Sequence, residues 1–126
     1  MKKKILCVCA KGLNRSKYLA EYLKRKGYST RYGGVETDYE NSNTQKIITQ
    51  EDANWADIII FVRPRLEREF KEKYTFNGKI ITINVTDSKR LIPEEYSHLR
   101  ELSYSDFQKK WTRPQLRKAI KKYIKL

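Results

Sequence analysis

The chain has 126 residues, 39% hydrophobic, 12% aromatic and 34% charged, proportions that support one packed core beneath a heavily solvated surface and exclude a disordered or fibrous class. Its 28 Lys and Arg against 15 Asp and Glu give a formal net charge of +13, a field that concentrates anions, nucleic acid or acidic surfaces around the protein. Cys7 and Cys9 are too close in sequence to bridge within a strand, which excludes a disulfide framework, and with His98 the one histidine neither a zinc site nor any cofactor is expected.

The apolar stretch after the three N-terminal lysines ends at Lys11, too early for a secretion signal. No run approaches membrane-spanning length. The expectation is a cytoplasmic protein with no membrane partner, occupying residues 1–126 as one domain with a basic helical segment from about residue 105. Oligomeric state is not legible.

In chain order, Ile5–Cys9 is a continuous apolar run of the kind buried on both faces of a parallel sheet. From Ser16, Leu19, Ala20 and Leu23 recur at helical spacing until Gly27. Residues 28–32 form a second strand ahead of Gly33-Gly34, Glu36–Thr44 is an exposed loop, and a helix runs from near Thr44 to about Ala53. Asp57–Val62 is another buried strand. Pro64 opens a helix with Leu66, Phe70 and Tyr74 on one face, and Asn77-Gly78 turns the chain into a strand over Lys79–Val85. A loop spans Thr86–Pro93 and a helix Glu94–Leu102. The last helix takes Thr112 as N-cap and Pro114 in its first turn, with a stripe of Leu116, Ala119, Ile120, Tyr123 and Ile124. The alternation predicts an α/β three-layer sandwich. A mostly parallel four-stranded sheet carries helices on both faces, and the site lies beyond the carboxyl ends of the strands.

Cys9 stands at that end of the first strand and opens Cys9-Ala10-Lys11-Gly12-Leu13-Asn14-Arg15-Ser16. A cysteine and arginine at this spacing are a weak signal alone. Here they leave a buried strand, turn through a glycine and enter a helix. Successive backbone N–H groups and the helix N-terminus make a cradle for a phosphoryl group, and Gly12 permits the curl. The same dipoles favour the Cys9 thiolate, so a nucleophilic cysteine here needs no histidine base. Arg15 offers paired donors to phosphoryl oxygens, a geometry lysine cannot copy. Ser16 can hydrogen-bond the sulfur and Asn14 can hold the loop, while Cys7 is read as core. Catalytic Cys9 and Arg15, with Ala10, Lys11, Gly12, Leu13, Asn14 and Ser16 around the substrate, are the candidate residues.

This loop, following the first strand at the extreme N-terminus, resembles that of the low-molecular-weight protein tyrosine phosphatases. The segment Trp55-Ala56-Asp57-Ile58-Ile59-Ile60-Phe61-Val62 resembles a strand of a bacterial predicted-phosphatase branch of that family. The resemblance covers roughly residues 4–100 and implies a phosphocysteine mechanism on a phosphotyrosine protein or small phosphomonoester. Three departures stand out: Asn14 replaces the second loop cysteine, the Asp-Pro general-acid motif is missing, and a basic C-terminal segment is added. Family topology puts the acid in the loop after the last parallel strand, which designates Asp87, with Glu94 and Glu95 as fallbacks.

The loop also resembles the Cys-x-x-Gly-x-Asn-Arg loop of RNA 5′-triphosphatases, with Lys11 in place of their histidine. Together with the charge, this makes phosphatase action on nucleic-acid 5′ ends an alternative, with Tyr32, Tyr39 or Trp111 as base-stacking candidates. A phosphate-binding protein that has lost its acid is a third reading. Arsenate reduction lacks the downstream cysteines it needs, and sugar-transport phosphocarriers lack a matching arginine.

Overall fold

The computed structural model describes residues 3–12, 14–36 and 46–124. Strand β1 (Lys4–Cys9) pairs in parallel with β2 (Ser29–Gly34) on one side and β3 (Ile58–Phe61) on the other, and β4 (Lys79–Thr82) pairs in parallel with β3. The sheet order is therefore β2-β1-β3-β4, with the apolar run of β1 at its centre. Ile5, Leu6, Cys7 and Val8 are wholly buried, as are Ile59, Ile60 and Phe61 of β3. Asp57 sets the start of this pairing, since its carboxylate accepts from the Lys4 N–H at 2.9 Å while its own N–H donates to the Lys4 carbonyl.

Right-handed parallel crossovers decide the layers. Helix α1 (Arg15–Arg25) connects β1 to β2 and covers one face. Helices α2 (Gln50–Trp55) and α3 (Pro64–Lys73) lead the chain the other way across the sheet and cover the opposite face. The C-terminal helix returns to pack beside α1, joining Leu116, Ile120 and Ile124 to the main core. This is the three-layer parallel α/β arrangement expected from the alternation of elements.

Several local expectations are corrected. Strand β2 continues through Gly33 and Gly34, because no side chain fits there. A Cβ on Gly33 would lie 2.5 Å from the Ile48 side chain, and one on Gly34 would lie 2.4 Å from the Ala10 carbonyl oxygen. Helix α2 begins at Gln50, not near Thr44. Thr49 caps it through a reciprocal box with Asp52, the device that fixes a helix start most sharply, and residues 46–49 are extended. Residues 94–101 are a 3₁₀ helix kinked at Tyr96 with no buried residue, not an α-helix. Its sequence lacks the continuous apolar stripe that would hold an α-helix against the core.

The largest correction concerns the C-terminus. Thr112 is not an N-cap: it has helical φ/ψ of −63° and −50°. The helix starts at Tyr104, with Ser103 accepting from the Asp106 N–H. It runs through α4 (Tyr104–Phe107), a π turn at Gln108–Thr112 and α5 (Arg113–Ile120). In the π turn the Arg113 N–H reaches back five residues to Gln108. The extra residue widens the turn just ahead of Pro114, whose ring opposes ordinary α geometry there. Tyr123, expected in the apolar stripe, is 51% exposed, in the turn that follows the end of the α-helix at Ile120. A small second core of Ile92, Phe107 and Trp111 fastens the segment that follows β4 to this helix.

Candidate active site

Strand β1 carries Cys9 to the carboxyl edge of the sheet, and α1 starts six residues later. The Cys9 sulfur, almost wholly buried, lies 3.0 Å from the Ser16 hydroxyl and accepts the Gly12 N–H at 3.2 Å. Gly12 has φ +71°, and a Cβ on it would lie 2.2 Å from the Lys46 carbonyl oxygen. Position 12 is thus closed to other residues by both conformation and space. Glycine 34 supports the loop from beneath, where its missing side chain lets the backbone of Ala10, Lys11 and Gly12 approach. Beside it, the Glu36 N–H donates to the Ala10 carbonyl at 2.8 Å and the Val35 N–H to that of Cys9 at 3.2 Å. Cys7, one pleat earlier, is fully enclosed. Burial, with the nearby Cys9 adding to it, pushes its thiol far above the ordinary range, leaving it inert packing.

Arg15 opens α1 with 6% of its surface exposed and donates from Nη1 to the Val85 carbonyl at 2.9 Å. Its Nε is 3.3 Å from Asp87 Oδ2, but the N–H is not aimed at that oxygen and has no hydrogen-bond partner. A buried guanidinium held at one end with a donor unused at the other suits an incoming oxyanion. No acidic residue lies in the first turn of α1, and Asn14 does not cap it. The helix terminus therefore keeps its partial positive charge.

The Asn14 amide turns instead to the C-terminal helix. Its Nδ2 lies 2.8 Å from Gln108 Oε1, 3.3 Å from Tyr104 Oη and 3.3 Å from Asp87 Oδ2. Gln108, 3% exposed, is thus the main anchor of Asn14, and the π turn presents it. Burial and the Asp87 carboxylate hold the Tyr104 hydroxyl above the usual tyrosine range, outweighing Arg15 and the Asn14 hydrogen bond. It therefore remains a proton-bearing donor at neutral pH. Gln108→Ala leaves Asn14 with only its two longer contacts. The expected loss is about 1–2 kcal/mol of unfolding free energy, measured by denaturant titration.

These groups surround a cleft of about 300 Å³. Cys9, Ala10 and Lys11 line it from the loop, and Asn14, Arg15, Asp87 and Tyr104 form one contiguous wall through the contacts just described. Arg65 and Glu36, hydrogen-bonded to each other, complete the rim. A larger groove of about 360 Å³ between residues 82–85 and α5 has neither cysteine nor carboxylate in its lining, so chemistry and not volume locates the site.

Of the candidates named from sequence, Cys9, Ala10, Lys11, Asn14, Arg15 and Asp87 meet in this cleft, with Gly12 and Ser16 directly behind the sulfur. Leu13 and Tyr39 lie outside the described residues, as does most of the 36–44 loop. Glu94 and Glu95 are exposed on the 3₁₀ segment and do not line the cleft, and Glu94 is paired with Arg100 at 3.1 Å. His98 is exposed on the same segment. Trp111 is not a free stacking surface: it is 9% exposed, tilts against Tyr96 and donates to the Thr86 carbonyl at 3.2 Å. The Tyr32 ring is covered by the Lys46 ammonium, 4.7 Å from its centroid. Sequence reasoning missed Tyr104, Gln108 and Gly34. Only Gly34 left a signal, as half of a Gly-Gly pair that a simple turn does not require. Among the described residues no three His, Cys, Asp or Glu side chains gather as a metal site, and no helix is long and apolar enough to cross a membrane.

No protein-family model matches the chain. No curated protein matches it. Solved structures do. A low-molecular-weight protein tyrosine phosphatase from T. tengcongensis aligns over 96% of this chain and 99% of its own, at 17% identity and a TM-score of 0.59. The corresponding enzyme from Streptococcus pyogenes covers 98% and 94%, at 17% identity and a TM-score of 0.56. The YwlE arginine phosphatase, in a mutant with a phosphorylated active-site serine, covers 93% and 90%, at 14% identity and a TM-score of 0.62. A serine phosphatase of the RNA polymerase II CTD (SSU72 superfamily) from Drosophila melanogaster covers 86% and 93%, at 14% identity and a TM-score of 0.50. The chain has the fold of the low-molecular-weight protein tyrosine phosphatases.

Proposed function

We propose that this protein is a cysteine-dependent phosphatase hydrolysing phosphomonoesters through a phosphocysteine intermediate, with phosphotyrosine the first substrate class and the cytoplasm its compartment. The observation that carries this reading is the Cys9 sulfur, hydrogen-bonded to Gly12 and Ser16 in a cleft whose wall brings an arginine and a carboxylate to it. The similar solved structures include enzymes described as tyrosine, arginine and serine phosphatases, so the fold by itself selects no substrate.

In the first step the Cys9 thiolate attacks phosphorus, an S–P bond forms and the ester P–O bond breaks. Asp87, carrying a proton, gives it to the leaving oxygen. In the second step Asp87, now a carboxylate, takes a proton from water as the water oxygen attacks the phosphocysteine, releasing inorganic phosphate and restoring the thiolate. The loop N–H groups and Arg15 hold the equatorial oxygens throughout. Asp87 sits at Arg15, its Oδ2 3.3 Å from Nε. An entering phosphate dianion offers Arg15 a stronger partner, which frees Asp87 to turn to the leaving oxygen.

Acid quenching of the enzyme during turnover of a ³²P-labelled aryl phosphate tests the intermediate. Label should be recovered on the peptide containing Cys9, and rapid turnover with no label on that peptide would overturn the reading.

A further inference from the structure

A second concavity adjoins the Cys9 cleft and shares Asn14 with it. It has a volume of about 250 Å³ between α1 and α5 and is lined by Asn14, Lys17, Tyr18, Glu21 and Arg113. Arg113 places its guanidinium 5.2 Å from the centroid of the Tyr18 ring, and its buried Nε has no hydrogen-bond partner. Arg117 donates to the Tyr18 hydroxyl at 2.7 Å, leaving the hydroxyl proton for another acceptor. Among the described residues no carboxylate lies within 4 Å of the charged groups of Lys17, Arg113 or Arg117. Lys17 and Arg113 thus line the pocket against the one carboxylate of Glu21, with Arg117 held beside it by the Tyr18 hydroxyl. Arg113, Arg117 and Lys121 follow one another at four-residue spacing on one ridge of the helix, so the positive track continues away from the catalytic loop.

We infer that this pocket receives the penultimate phosphate of a single-stranded nucleic-acid end whose terminal phosphate occupies the Cys9 loop. The inference rests on the reading of that loop as a phosphate site. An isolated second anion needs one pocket, whereas a ridge of unpaired cations leading out of it suits a polymer with regularly spaced phosphates. Arg113 and Lys17 neutralise the phosphodiester, and Tyr18 contributes a hydroxyl donor.

The test uses the full chain carrying Cys9→Ser, titrated at low salt with fluorescent single-stranded oligonucleotides bearing a 5′-phosphate, a 3′-phosphate or hydroxyls only. A phosphorylated end should bind at least about tenfold more tightly than the hydroxyl control, with affinity falling as salt rises. Lys17→Glu, a change at an exposed position, should remove most of that preference, and Arg113→Ala should flatten the salt dependence by about one phosphate contact. Equal binding of all three oligonucleotides overturns the inference. So does a preference that Lys17→Glu leaves intact, or one seen only with a doubly phosphorylated peptide. Failure here with Cys9 still labelled during aryl phosphate turnover removes this inference alone. Loss of both removes the phosphate site itself.

Discussion

Cys9→Ser should lower aryl phosphate turnover by at least about 10⁴-fold while leaving the fold intact. A serine hydroxyl at this position is not ionised and no general base stands beside it. Among the described residues, Ser16 and the Gly12 N–H hydrogen-bond the sulfur, both suited to support a negative charge and neither able to remove a proton at neutral pH. Losing an activated nucleophile in a site built around it costs several orders of magnitude. The buried volume changes little, so the variant should keep its unfolding midpoint and still bind inorganic phosphate or vanadate. Steady-state assay with calorimetry checks both halves. Equal rates for wild type and variant would place the chemistry on another residue, and a collapsed fold would be answered by Cys9→Ala.

The second large effect is at Asp87. Asp87→Asn should reduce kcat about 10²–10³-fold for a substrate with a poor leaving group, such as phenyl phosphate, the range expected for loss of a general acid. The deficit should shrink for a substrate whose leaving group departs without protonation. A merely structural role would depress both substrates alike, because the lost Arg15 contact is common to them. The comparison therefore separates an acid from a tether, and it also distinguishes an active phosphatase from a phosphate-binding protein. A full-rate Asp87→Asn enzyme on phenyl phosphate would assign the proton elsewhere, with the Tyr104 hydroxyl the remaining donor on that wall.

Much of this arrangement was legible because it is local. A run such as Ile5–Cys9 has one stable place in an α/β chain, the middle of a parallel sheet. The residues after it, with a glycine at the tight point and an arginine where the helix dipole disfavours a cation, are the local pattern from which the proposed anion site was read. Asp87 was reached through the family resemblance, which puts the acid in the loop after the last parallel strand, and that loop opens at the same edge of the sheet as Cys9.

What was misread depended on contacts between distant parts of the chain. Thr112 and Pro114 have the composition of a helix start. The helix instead runs through them, because Phe107 and Trp111 have a small core to join and Gln108 has Asn14 to bind. A few tenths of a kcal/mol of local preference cannot compete with burying two aromatic side chains. The residues 94–101 fail as an α-helix for the converse reason, having helical composition but no residue that becomes fully buried, only Leu99 and Tyr96 touching the small core.

The amino-acid sequence by itself therefore determined the parallel sheet and the tight turn through Gly12 that carries the chain from Cys9 into the helix opened by Arg15, because each follows from adjacent residues and backbone geometry. Only the tertiary structure decided that a helix about 90 residues downstream supplies Tyr104 and Gln108 to the loop, that Gly34 must be bare beneath it, and that Arg113 meets Lys17 beside it. Those pairings are set by how α5 packs against α1, and no local pattern in the chain records the partner.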